Sequence, residues 1–345
     1  MLAYWLLIAL PIILSLSPIN IHDKNRRNFL LNLVGVFYIL FIGLRYETGA
    51  DWEAYANMYA SISWYSLSDA MEYTEVGYGI LNWLLNQINA DIIAVNFIAA
   101  ILFVSGLVRF AKKMPNPWLA LISVTPYLVI AIGMSAVRQS AAIGLVFHFM
   151  ASWQDSFFKK TSLASLATSF HYSAVIALIF LIQDIKMPQW FRYVLLITGG
   201  FISYPIFSST EAYSKYHQVY IDDDLISPGA LMHVLLNTIP ALIYFINIKK
   251  WNLIFGKSEL IPLLAALSVL SIIGINLSST GVDRLALYLS PIQMLVYSAL
   301  PLLFNKKNQV IINFMVVMYH CTVLYWWLNY ANTAIAFIPY RNVLF

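Results

Sequence analysis

The chain is expected to fold as an all-α, polytopic membrane protein, and three observations lead there. Of its 345 residues 61% are hydrophobic and only 10% charged, a balance that leaves too little polar surface to keep a domain of this size in water. Apolar stretches of roughly 20 residues, the length that crosses a bilayer as a helix, recur from end to end. Between them lysines and arginines gather in small knots on alternating sides. Only helices and closed barrels satisfy the backbone in lipid, and the apolar–polar alternation of barrel strands does not appear here.

Ten full spans are expected, near residues 2–17, 29–45, 91–110, 118–134, 139–157, 190–206, 229–248, 259–277, 284–304 and 309–328. The first has no basic residues before it and no small-residue cleavage site after it, which predicts a retained span rather than a signal peptide. Cytoplasmic loops carry the excess of lysine and arginine. That rule puts inside Lys24, Arg26 and Arg27; Arg109, Lys112 and Lys113; Lys159 and Lys160; Lys186 and Arg192; Lys249, Lys250 and Lys257; and Lys306 and Lys307. Fifteen of the 20 basic residues are so placed, leaving Arg45, Arg138, Lys215, Arg284 and Arg341 outside, with both termini.

Residues 161–183 resist this scheme, because Lys159–Lys160 precede them and Lys186 follows. A single crossing would turn every later lysine cluster outward. A re-entrant pair of half-helices is therefore expected at 161–183, each roughly 10 residues and ~15 Å long, turning at Ser169-Phe170-His171-Tyr172-Ser173. Non-helical backbone at that depth lines a protein or water-filled cavity. No repeat or low-complexity tract appears, so residues 1–345 read as one integral membrane domain. Cys321 is the single cysteine, which excludes an intrachain disulfide.

The outer face is acidic and aromatic. The loop at 46–90 carries Glu47, Asp51, Glu53, Asp69, Glu72 and Glu75 among Tyr46, Trp52, Tyr55, Tyr59, Trp64, Tyr65, Tyr73 and Tyr78. The loop at 207–228 carries Asp222, Asp223 and Asp224 with Tyr213, Tyr216 and Tyr220. Rings that stack on a sugar's apolar face, beside carboxylates that accept its hydroxyls, would suit a glycan; an interfacial aromatic belt gives the same composition. Arg45, Arg138 and Arg284 each sit at the outer mouth of an expected helix, in GLRYETGADW, GMSAVRQSAA and STGVDRLALY. Arginine near hydrocarbon is costly, and guanidinium binds phosphate bidentately. Three on one face read as a clamp for a lipid-linked phosphate or pyrophosphate, although each alone could snorkel to headgroups. Asp283 beside Arg284 either neutralises it or acts in catalysis, and Asp51 is a second ligand, an acid/base or a structural contact. Lys215 and His217 fall in the second loop, and Arg341 either folds back to the site or caps the chain. The histidines show no metal-ligand spacing, and no metalloprotease, Walker, nucleophile-elbow or dinucleotide motif is present. No metal, cofactor or nucleic acid is expected.

Four segments in order resemble a known family. GLRYETGADWEAY resembles the R-Y-x-x-G-x-D-x-x-Y element of EpsG/Wzy-type polysaccharide polymerases, and MSAVRQSAAIGL their x-x-x-R-Q-x-x-A helix start. SFHYSAVIAL resembles their F-H-x-S-A element, and DRLALYLSPIQ their later R-x-x-x-Y helix. The resemblance covers roughly residues 40–300. It implies a GT-C-like glycosyltransferase at the outer face of the bacterial inner membrane, joining oligosaccharide units built on undecaprenyl pyrophosphate into O-antigen, capsule or exopolysaccharide. Lipid-linked oligosaccharide is then both donor and acceptor, and a chain-length regulator and a flippase are the expected partners. On this reading Arg45, Arg138 and Arg284 bind the pyrophosphate, and His171 takes the proton from the acceptor hydroxyl with Asp51 in reserve. Tyr46, Trp52, Tyr55, Gln139, Tyr172, Asp283, Tyr288 and Arg341 contact substrate, and displacement inverts the anomeric carbon. An O-antigen ligase would use similar groups, with a larger outer loop than 207–228. A flippase or transporter of the same lipid would show charges inside the spans and repeat symmetry.

Overall fold

Helix signals in the sequence become caps in the structure. Asp23 accepts from the N–H groups of Asn25 and Arg26 and opens α2 (Lys24–Gly43). Ser66 and Asp69 form a reciprocal capping box on α4 (Leu67–Tyr73), and Asp91 caps α6 (Ile92–Ala111). Asn116 caps α7 (Pro117–Val124), whose first residue is a proline, where the missing N–H has no helical partner to lose. The remaining helices of the segment 46–90 are α3 (Trp52–Ile62) and α5 (Val76–Gln87). The N-terminal helix α1 spans Leu2–Leu16.

The computed structural model describes residues 1–16, 23–182, 188, 191, 229–276 and 278–344. Apart from Phe191, the expected span at 190–206 lies outside the described residues, as do the loop at 207–228, Lys215 and His217. Among the described residues the chain is helical throughout, apart from one isolated antiparallel bridge between Arg45 and Asn342. It forms two compact units, Met1–Ala174 with Gln293–Phe345, and Val175–Ile292.

In the first unit α7 widens into a π-helical stretch at Thr125–Ile132, where Pro126 supplies no N–H, and ends in a single turn, α8 (Gly133–Ser135). The chain then re-enters helix as α9 (Val137–Ala151), which packs between α6 and α10 (Phe157–Phe170). Gly106 and Gly144 meet where α6 and α9 cross; a Cβ on Gly106 would lie 1.9 Å from the Gly144 carbonyl oxygen, so small residues set this approach. After α10 come a short 3-10 turn (Tyr172–Val175) and α11 (Ile176–Leu181), which belongs to the second unit.

The second unit holds α12 (Ala230–Ile246), α13 (Ile248–Phe255), α14 (Leu260–Gly274) and α15 (Ser279–Ala286). Thr238 donates to the Ser268 carbonyl at 2.8 Å and Asn237 to that of Ala286 at 2.7 Å, tying α12 to its neighbours with buried hydrogen bonds. The last helices are α16 (Pro291–Ala299) and α17 (Lys306–Tyr330).

The described helices bear out part of the expected span pattern. Four described helices are long and apolar enough to cross a membrane: Lys24–Gly43, Ile92–Ala111, Pro117–Ser135 and Lys306–Tyr330; up to six spans result if each of two bent pairs counts once. The apolar run at 229–248 is helical as α12, and its expected end coincides with a 97° turn of the helix axis into α13. The run at 139–157 is helical only to Ala151, and α1 and α14 are each 15 residues long. In 161–183 the helix does break at His171: α10 runs up to Phe170, and beyond the break the 3-10 turn and α11 together run from Tyr172 to Leu181, close to the expected half-helix lengths. The membrane reading itself is supported by unburied apolar faces. Phe29, Leu33, Val36 and Leu40 form one exposed stripe of α2, and Val310, Ile311, Phe314, Met315 and Met318 stand exposed on α17, surfaces that belong in hydrocarbon rather than water.

Candidate functional site

The loop at 46–90 begins beside a buried arginine. Arg45 is only 1% exposed. Its Nη1 donates to the Ile42 carbonyl at 2.7 Å, Nε to that of Thr48 at 3.1 Å, and Nη2 reaches Asn96 Oδ1 at 3.5 Å. The chain after α2 thus wraps around its own guanidinium. The C-terminal stretch closes over the same place: Val343 N–H donates to the Leu44 carbonyl, Tyr46 N–H to that of Arg341, and the Tyr340 ring stacks on Phe41 at 4.1 Å. Arg341 folds back here and pairs with Glu47, both side chains half-exposed.

Arg138 stands one residue into α9, where Ala136 breaks the preceding helix. Its Nη1 donates to Glu75 Oε2 at 2.5 Å and to Thr74 Oγ1 at 3.1 Å. Thr74 in turn donates to the same carboxylate oxygen at 3.0 Å. The Tyr55 ring lies 5.6 Å from the guanidinium carbon, and burial pushes the Tyr55 phenol above its ordinary range, which keeps it neutral. Arg138 remains 27% exposed while Glu75 is 7% exposed. The buried Nε–H of Arg138 has no acceptor among the described residues.

His171 ends α10 in an extended conformation. Its Nδ1 receives the backbone N–H of Ser173 at 3.2 Å and lies 2.8 Å from Ser173 Oγ; Gln139 Nε2 donates to that hydroxyl at 3.4 Å. A nitrogen that accepts an amide N–H carries no proton, so the neutral ring has its hydrogen on Nε2. His171 therefore presents a donor. The Gln139–Ser173–His171 chain ties the C-terminus of α10 to the residue next to Arg138. Close packing of α5 on α10 brings in the remaining group: a Cβ on Gly77 would fall 2.5 Å from Ser169 Oγ and 3.0 Å from its carbonyl. Glu75, Arg138 and His171 are thereby gathered from α5, α9 and α10 within the first unit.

The other expected residues scatter around this cluster or elsewhere. Asp51 is exposed at the start of α3. Tyr46 packs edge-on to Trp52 at 5.8 Å, and the Trp52 ring also faces Arg45 at 5.9 Å. Gln139 is buried, whereas Tyr172 is 59% exposed. Arg284, Asp283 and Tyr288 belong to the second unit. There Asp283 Oδ1 meets His233 Nδ1 at 2.9 Å, and Tyr288 is fully buried. Sequence reasoning passed over Thr74, Glu75 and Ser173. The signal for Ser173 was present, since an N–H two residues after a histidine is well placed to cap Nδ1. Among the described residues no group of three or more His, Cys, Asp or Glu side chains is placed to hold a metal ion.

No curated protein and no solved structure matches the chain. The model of the EpsG family matches residues 28–342. The chain belongs to the EpsG family, which points to a membrane-embedded polysaccharide polymerase as the general activity.

Proposed function

We propose that the protein polymerises an oligosaccharide carried on undecaprenyl pyrophosphate, at the outer face of the bacterial inner membrane. The observation that carries this reading is Arg138, a part-exposed guanidinium with a buried N–H that no described residue accepts, set on the Tyr55 ring of an acidic, aromatic loop. The donor's pyrophosphate binds Arg138, so charge that develops on the leaving group meets a fixed donor. His171 adds its Nε2–H to the same phosphate, held in that tautomer by Ser173. Guanidinium charge takes the place of a divalent cation. The acceptor is the non-reducing-end hydroxyl of another lipid-linked unit, and direct displacement inverts the anomeric carbon. Arg45 shapes the loop from beneath and does not touch the phosphate. A chain-length regulator and a flippase are the expected partners.

The test is a gel of surface glycan from the source cell, comparing the gene deletion with wild type and Arg138→Ala at matched expression. Single-unit product without a ladder, in the deletion and the variant alike, is expected. Complete loss of surface glycan would indicate ligation or export instead, and a normal ladder would refute the reading.

A further inference from the structure

We infer that Glu75 is the general base of the transfer, released for that role when the donor's pyrophosphate draws Arg138 away from it. This rests on the polymerase reading above and names a residue that neither the family match nor the sequence motifs single out. The acceptor hydroxyl must lose a proton as its oxygen attacks, and three groups of the first unit are candidates to receive it. His171 is unsuited, since Ser173 occupies Nδ1 and Nε2 already carries hydrogen. Asp51 is exposed to solvent, and a hydrated carboxylate is a weak proton acceptor in a displacement that must exclude water. Glu75 is buried, 7% exposed at its side chain. Its Oε2 takes both bonds, from Arg138 and Thr74, while Oε1 has no donor among the described residues.

The geometry couples binding to activation. Arg138 is matched to Glu75 at 2.5 Å. Phosphate competes for the same Nη1, and a bidentate phosphate contact is the stronger partner. Once Arg138 turns, Glu75 faces the acceptor without its counter-ion. The acceptor O–H proton passes to the Glu75 carboxylate, the acceptor oxygen bonds to the anomeric carbon, and the bond from that carbon to the pyrophosphate oxygen breaks. Its electron pair leaves on undecaprenyl pyrophosphate, and Glu75 then returns the proton to solvent. Thr74 holds Oε2 throughout as the positioning residue.

The test uses the full-length protein in lipid nanodiscs, with two probes: inorganic pyrophosphate for binding, and the repeat unit on undecaprenyl pyrophosphate, extracted from deletion cells, for turnover. Glu75→Gln is expected to lose about 10²–10⁴ in turnover, the usual worth of a positioned base. The same variant is expected to bind pyrophosphate about threefold or more tightly, because the competing anion is gone. An ion-pair role alone would tighten binding without that loss of turnover. If Glu75→Gln does not accumulate folded, Glu75→Asp carries the test: it keeps the charge for Arg138 but withdraws the carboxylate, so turnover should fall at least about tenfold at unchanged accumulation. Wild-type turnover in either variant overturns the assignment, as does lost turnover with weakened pyrophosphate binding. If the wild-type protein itself makes no ladder, the polymerase reading fails, whereas a ladder in both wild type and Glu75→Gln removes Glu75 alone.

Discussion

Replacing Arg45 by methionine separates a structural arginine from a catalytic one. The variant keeps most of the side-chain volume but removes the donors to the Ile42 and Thr48 carbonyls, at 2.7 and 3.1 Å, and a weak contact to Asn96 at 3.5 Å. Two charge-assisted hydrogen bonds lost in a site 1% exposed cost about 3–6 kcal/mol, since both carbonyls stay buried without a donor. Removing a desolvated charge recovers part of this, so a net loss of about 2–4 kcal/mol is expected. The bridge from Arg45 to Asn342 and the clasp around Leu44 should loosen with it. The assay is thermal unfolding of purified protein, paired with pyrophosphate binding by the fraction that remains folded. Arg45→Met should unfold several degrees lower yet bind pyrophosphate as wild type does once folded. Wild-type stability with lost binding would refute this account and put Arg45 on the substrate.

Further outcomes follow from the same geometry. Gly77→Ala drives a methyl against the Ser169 carbonyl and should cost about 1–3 kcal/mol in unfolding, with activity lost as Glu75 shifts; an unchanged melting curve would contradict the close approach of α5 to α10. Tyr55→Phe keeps the ring under Arg138 and should leave pyrophosphate binding within about twofold, whereas Tyr55→Ala removes a cation–π contact worth about 1 kcal/mol and should weaken it about fivefold. Ser173→Ala retains the backbone N–H on His171 Nδ1 but breaks the link to Gln139. Nitrogen NMR should still show the Nε2–H tautomer in that variant, and an Nδ1–H ring would overturn the assignment of His171 as a donor.

How much of this was legible in the sequence differs from residue to residue. Helix class and membrane setting were, because burial in lipid acts on composition and length, which any window of residues displays. The end of the span at Asn247 was also legible, from Lys249 and Lys250 just after it, but the angle of the bend was not, because hydropathy carries no angle. The break at His171 could be reached through charge placement, since Lys159, Lys160 and Lys186 constrain what lies between them. Arg45 and Arg138 look alike in sequence, each an arginine at the end of an apolar run near small residues. They part only in tertiary structure, where one is enclosed by carbonyls at residues 42 and 48 and the other stays partly open to solvent. Glu75 was one carboxylate among six in its loop, and its partner lies 63 residues away. No local pattern encodes such a pair.

The most direct measurement is to supply the purified protein in nanodiscs with a single lipid-linked repeat unit and no other protein, following product length and release of undecaprenyl pyrophosphate together. The account predicts a ladder of glycans on lipid, one undecaprenyl pyrophosphate released for each bond made, and neither product from Arg138→Ala. Movement of the lipid-linked unit across the bilayer without any new glycosidic bond would contradict it.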